Sequence, residues 1–292
     1  MHQPDGSLNS CSVSSGNGTF NGPLAITVNP TATIAYVANF GSNDISACAI
    51  ESNGLFGSCI VLSDATFAQL TGVTLNPSGD TLYASNFGTG NADGSVSVCP
   101  LRIDGSLAVC ASSGTMAGLF AYPEMIGINP ADGTHLYSSG VANQLSMTLC
   151  NIVGSNGSLT ACTTASGSGA APNPGFLAPQ GISFNVPGTI AYIGNGGNSG
   201  PISNFVSVCP VNPDGSFGSC TITEGNGTFN FSANTEIGLF ISSMAIAYVP
   251  NSGNNTVSIC PINQDGSLGV CTVSDGGGTL NVPSAVFLAL EP

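Results

Sequence analysis

Five times along this chain two cysteines stand 11 or 12 residues apart, with a glycine-containing turn between them. CPVNPDGSFGSC at 209–220 and CPINQDGSLGVC at 260–271 are almost the same phrase. The pairs are Cys48/Cys59, Cys99/Cys110, Cys150/Cys162, Cys209/Cys220 and Cys260/Cys271, with Cys11 left over. No CxxC accompanies them and no histidine stands close by, so zinc ligation is a poor reading. Two cysteines facing each other across antiparallel strands satisfy disulfide geometry. Each pair is therefore expected to staple one hairpin. Regular disulfides in turn point to an oxidising compartment.

Each pair closes a longer unit. Residues 23–64 read PLAITVNP, TIAYVANFGSN, DISACAI and SCIVLSD, and the same order returns at 71–113, 123–164, 179–223 and 235–274. Tyr36, Tyr83, Tyr137, Tyr192 and Tyr248 hold one position in the five copies, 47 to 56 residues apart, with the slack in loops such as 165–178. Each unit contains four short runs rich in Val, Ile and Tyr, bounded by Asn-Pro, Asn-Gly, Asp-Gly and Gly-Ser turns. Such runs read as a four-stranded antiparallel meander. No window sustains a helical period. A four-stranded unit at this spacing is a β-propeller blade.

The expected fold is thus all-β, a single propeller domain over 1–292 with five complete blades. Strands A to D run outward from a central channel, and each cysteine pair clips strand C to the exposed outer strand D. Residues 2–14 match a further strand D, and 283–292 match a further strand A. A sixth blade would draw on both, but its B and C strands are absent, and with them a partner for Cys11. Three explanations stand open. The chain is a fragment, the ring closes with five blades, or the spare strands pair with a neighbouring molecule.

Composition narrows the partners. Hydrophobic residues make up 42% and charged residues only 5%, against roughly a quarter in ordinary soluble proteins. The formal charge is −14, and Arg102 is the single Lys or Arg. Such a surface repels phosphate backbones and anionic headgroups, which excludes nucleic acid as a partner. No uncharged run is long enough to predict a membrane span. Met1-His2 leads straight into a turn sequence, so any secretory leader is expected upstream or already removed. The expected location is secreted or cell-surface, with the periplasm as the alternative. Near absence of Lys and Arg also denies trypsin-like proteases their sites.

The second strand of the unit reads IAYVANFGSN at 34–43, IAYIGNGGN at 190–198 and IAYVPNSGNN at 246–255, and VSVCPV or VSICPI follows. This pattern resembles the YVTN family of β-propeller repeats, blade by blade over essentially the whole chain. The resemblance implies a propeller, with relatives among surface-layer proteins and sugar-lactone hydrolases. It places Asn39, Asn86, Asn195 and Asn251 at the end of strand B. There, asparagine tolerates left-handed backbone and bonds its own main chain, a structural role. The cysteine pair in every blade departs from the family pattern.

Chemistry is sparse. His2 and His135 have no motif around them, and Arg102 falls in a hairpin turn. GxSxG, HExxH and phosphate-cradling loops are missing. The Asp-Gly-Ser turns lack the alternating acidic ligands of calcium loops. The residues expected just before strand A, at one mouth of the channel, are Leu24, Thr71, Glu124, Gln180, Glu236 and Ser284. Thr71, Glu124, Gln180, Glu236 and Ser284 bring oxygen-bearing side chains that would suit Ca²⁺, the one cofactor considered. Two carboxylates could instead do acid–base work on a small substrate. No catalytic residue is assigned. Asn-X-Ser/Thr sequences at Asn17, Asn156, Asn226, Asn230 and Asn254 matter only in a glycosylating host. The expected role is a structural or binding module, meeting a protein or glycan at the cell surface or self-associating into filaments through its end strands. A lactonase-like hydrolase and a glycan-binding propeller are the alternatives.

Overall fold

A computed structural model describes residues 7–8, 11–88, 94–114, 116–140, 145–169, 175–196, 204–231, 240–241, 245–281 and 283. It is all-β. Blade one is β1 (Pro23–Val28), β2 (Ile34–Asn39), β3 (Asp44–Ile50) and β4 (Phe56–Leu62). Blade two is β5 (Leu70–Leu75), β6 (Thr81–Asn86), β7 (Ser95–Pro100) and β8 (Ala111–Ser112). Blade three is β9 (Pro123–Ile128), β10 (His135–Gly140), β11 (Met147–Val153) and β12 (Ser158–Ala165). A short β13 (Ser168–Gly169) precedes blade four, which is β14 (Pro179–Phe184), β15 (Ile190–Gly196), β16 (Asn204–Pro210) and β17 (Ser219–Thr223). Blade five is β18 (Phe240–Ile241), β19 (Ile246–Asn251), β20 (Thr256–Pro261) and β21 (Thr272–Ser274). Within every blade the strands pair in chain order, and neighbours in the blade are antiparallel. The connector 165–178 is more than a loop, because β13 adds in parallel to the outer edge of β17.

The chain divides into two compact units. One holds blades one to three, with β1 packed on β5 and β5 on β9. The other holds blades four and five with the N-terminal residues to Val13. In each blade the second strand is buried almost throughout, as β2, β6, β15 and β19 are. That burial explains why IAYVAN reads as a continuous apolar run rather than an alternation. The outer strand β4 is open to solvent at Ile60 and Val61.

Five disulfides form: Cys48–Cys59, Cys99–Cys110, Cys150–Cys162, Cys209–Cys220 and Cys260–Cys271, with Cα–Cα distances of 4.0 to 4.2 Å. The pairing is the one expected from the spacing, and Cys11 is a free thiol. One bridge clips the third-to-fourth-strand hairpin of each blade, as expected, and two details add to that picture. Cys59, Cys162 and Cys220 do lie on the fourth strands of their blades, but Cys110 and Cys271 stand one residue ahead of β8 and β21. There the hairpin is held by isolated bridges, Leu101 to Leu107 and Ile262 to Leu268, and the ladder resumes only past the cysteine. The sulfurs are also not at an open rim. Cys110, Cys220 and Cys271 are buried, and Cys162 is partly buried. Cys110 shares a core cluster with Tyr36 and Ala38 of blade one, Cys162 with Tyr83 and Val96 of blade two, and Cys271 with Tyr192 and Val206 of blade four. Each of these bridges therefore adds apolar surface to the packing against the preceding blade. Cys220 is covered by the connector instead. Its backbone pairs with Gly169 of β13, and a Cβ on Gly167 would fall 2.8 Å from its Sγ.

The N-terminal segment lies on blade five. Ser274 Oγ donates to the Leu8 carbonyl (3.2 Å), and Leu8 packs on Tyr248, Val257 and Ile259.

The repeated tyrosine has a specific task. Tyr36 donates to the Gly105 carbonyl (3.1 Å), Tyr83 to Gly157 (2.9 Å) and Tyr192 to Gly266 (2.9 Å). Each bond ties the second strand of one blade to the hairpin turn of the next. Burial, with the charge of Asp80 nearby, pushes the Tyr83 phenol up to about 12, so it stays a donor. Gly157 has φ 68°, and a Cβ there would stand 2.4 Å from the Tyr83 hydroxyl. Tyr83→Phe is expected to cost about 1 kcal/mol by orphaning the carbonyl. Gly157→Ala is expected to cost more, since backbone strain and the clash add to the same loss. Urea melts of the two variants check the order.

The strand-end asparagines are buried and structural, by a different geometry from the expected one. Their backbone φ is not positive; the left-handed residues are Asn43 and Asn255, four positions further on. Asn39 accepts from the Asn21 amide (3.2 Å) and donates to Ser46 Oγ (2.8 Å). Asn86 does the same with Ala68 and Ser97, Asn195 with Leu177 and Ser207, and Asn251 with Asn230 and Ser258. Each one stitches the incoming connector to the second and third strands.

Candidate functional site

The residues expected just before strand A lie inside it. Leu24, Thr71 and Gln180 are each the second residue of their strand, and each sits in a β-bulge. In blade three, Glu124 and Met125 together oppose Ser139. One extra residue at the same point of four inner strands bends the strand and re-aims a side chain, as bulges beside functional sites do. Glu236 and Ser284 lie outside the described residues.

Within the three-blade unit the bulges interlock. Thr71 is 2% exposed, and its hydroxyl donates to the Pro123 carbonyl at 2.7 Å. Ser85 Oγ donates to the Glu124 carbonyl, also at 2.7 Å. Gly72 allows this approach, since a Cβ there would meet the Glu124 carbonyl oxygen at 2.6 Å. Ser139 Oγ accepts from the Met125 amide (2.9 Å) and donates to the Met125 carbonyl (3.2 Å). Thr71 is thus engaged in joining blade two to blade three. Ser85, absent from the expected set, does the same kind of work, while Ser139 ties β10 to β9 within blade three. In the other unit Gln180 is buried and lies over Gly196, where a Cβ would fall 2.2 Å from its Oε1.

Glu124 is different. It is 8% exposed, and its carboxyl has no hydrogen-bond partner among the described residues. Burial alone pushes it up to about 7. Arg102 supplies no counter-charge. It is exposed, its guanidinium donates to Ser106 Oγ and the Leu107 carbonyl, and its hairpin joins the Asp80 turn at the far end of blade two. His135 is tied to Asp132 (2.8 Å) at the far end of β10.

No group of three or more His, Cys, Asp or Glu that could hold a metal ion occurs among the described residues. The Asp-Gly-Ser turns are closed by their own bonds, Asp104, Asp214 and Asp265 each accepting from the serine two residues on. Among the described residues no helix is long and apolar enough to cross a membrane.

No protein-family model and no curated protein matches the sequence. Solved structures do match. A periplasmic gluconolactonase of Pseudomonas aeruginosa, PpgL, aligns at a TM-score of 0.61 and 18% identity, over 86% of this chain and 72% of that one. Hydrazine synthase of Kuenenia stuttgartiensis aligns at 0.55 and 15% identity, over 90% and 68%. The β-propeller domain of Myceliophthora thermophila Swd1 aligns at 0.52 and 8%, over 88% and 68%. Names so diverse on one architecture leave function to the site. At these identities the likeness shows the fold, and the fold is a β-propeller.

Proposed function

We propose that this chain is an extracytoplasmic binding module that takes a small ligand at the inner-strand bulge around Glu124. One observation carries the reading: a carboxyl is held on a largely buried residue with no hydrogen-bond partner among the described residues. Burying such a group costs stability unless something pairs with it, and strongly shifted groups concentrate at functional sites. The five disulfides suit a protein outside the cytoplasm, as does the likeness to a protein named as periplasmic. Thermal-shift screening against a small-molecule panel tests the reading. A true ligand must raise the melting temperature of the wild type and lose that effect in Glu124→Gln. If every stabilising compound acts equally on both proteins, the site is not at Glu124.

A lactonase-like hydrolase is the second reading, favoured by the likeness to a gluconolactonase and by an acid titrating near neutral pH. Turnover of glucono-δ-lactone that disappears in Glu124→Gln would put hydrolysis in place of binding.

A further inference from the structure

We infer that the Glu124 site takes an organic cation, a small alkylammonium group, in preference to an anion or a neutral sugar. This deepens the binding reading above and rests on it. The argument starts from the hydroxyl protons around the bulge. Thr71 donates to the Pro123 carbonyl, Ser85 to the Glu124 carbonyl and Ser139 to the Met125 carbonyl. All three are therefore engaged with main-chain acceptors. An arriving anion would meet a buried carboxylate and find those donors occupied. A neutral polyol could donate to the carboxylate, but its own oxygens would need donors in return.

An alkylammonium has the opposite character. It is donor-only, with up to three N–H groups, and it brings the positive charge that a buried carboxylate requires. The strands packed on β9 offer no competing cation. β5 and β6 carry no Lys, Arg or His, and the histidine of β10 is held by Asp132 at its other end. Tyr83 and Tyr137 are the remaining titratable groups on these strands, and both are buried phenols. Met125, the next residue of the bulge, is partly exposed and packs on the core of blades one and two. The chain's charge of −14 draws cations towards the protein as a whole.

That general attraction must be separated from a site. Isothermal titration at constant ionic strength would use n-butylammonium as probe, with gluconate and glucose as the anionic and neutral controls. Three proteins are compared: the wild type, Glu124→Gln, and Asp104→Asn, which removes one exposed charge at a hairpin turn. The expected result is binding of butylammonium to wild type and Asp104→Asn alike, and at least tenfold weaker binding to Glu124→Gln. Equal affinity for all three proteins would reduce the effect to diffuse attraction and overturn the inference. No butylammonium binding to the wild type would overturn it too. Glucose binding that depends on Glu124, without butylammonium binding, would overturn the cation class and leave the binding reading standing.

Discussion

Replacing Glu124 by Gln is expected to stabilise the protein above pH 7, by as much as about 3 kcal/mol, and to change little below pH 4.5. The direction follows from proton linkage. Burial raises the folded-state value of this carboxyl from 4.5 to about 7, so the native state holds its proton more tightly than the unfolded chain does. Below 4.5 both states are protonated and nothing is lost. Between 4.5 and about 7 the unfolded chain ionises freely while the native state resists, and stability falls. Above that range the whole penalty is in place. Glutamine keeps the shape and never ionises, so the two proteins should diverge only as pH rises.

Most carboxylates of this chain with resolved shifts behave in the opposite way. Asp64, Asp80, Asp104, Asp132 and Asp265 are lowered by hydrogen bonds from turn residues and favour folding once ionised. Denaturant melts across the acid-to-alkaline range would display both trends. A Glu124→Gln protein no more stable than wild type above neutral pH would mean that the carboxyl is already compensated, and the case for a ligand there would lose its physical basis. A more stable variant that no longer binds the probe would show stability given up for function.

Much of this architecture is written in short-range signals. The Tyr36 and Asn39 positions, the cysteine spacing and the Asp-Gly-Ser turns recur in nearly every unit, so blades and staples could be read directly. The chemistry at those positions was harder to read, because it lies between units. Tyr83 bonds a glycine 74 residues away, and Asn86 bonds the amide of Ala68 on the incoming connector. The sulfurs of Cys162 and Cys271 likewise pack with residues of the blade before their own. Sequence spacing gives the position of such residues and not their partners. The bulge escaped for a related reason. One extra residue in a six-residue strand leaves no mark in a pattern of alternating small and apolar side chains. Thr71 and Glu124 therefore looked like loop residues ahead of the strand. The repeat did single out the position, though not the difference in fate between a threonine spent on the next blade and a carboxyl without a partner.

Removing the Cys99–Cys110 disulfide, by Cys99→Ala with Cys110→Ala, is expected to release the outer strand of blade two. The equivalent removal of Cys48–Cys59 should leave that of blade one paired. Each loop spans 11 residues, and closing a loop of that size stabilises by roughly 3 kcal/mol in the chain-entropy model. The entropic gain is thus the same, and the local consequences differ because the ladders differ. β4 is seven residues long and meets β3 at five points of register. β8 is two residues long and meets β7 at only two, with one isolated bridge at Leu101 and Leu107. Blade one also has a second hold on its outer strand: Asn17 donates to the Gly57 carbonyl, and Phe20 packs edge-on against Phe56. In blade two the Cys110 amide donates only a long bond to the Asp64 carboxylate on the connector (3.4 Å). Hydrogen exchange should therefore rise at 108–113 in the blade-two variant, while 56–62 stays protected in the blade-one variant. Equal protection in the two would show that the outer strands are held by packing on the third strand and that the sulfur bridges are redundant. With all five bridges reduced, the summed loss reaches the whole stability of a typical domain. The reduced chain should then unfold cooperatively under conditions where the oxidised chain is fully native.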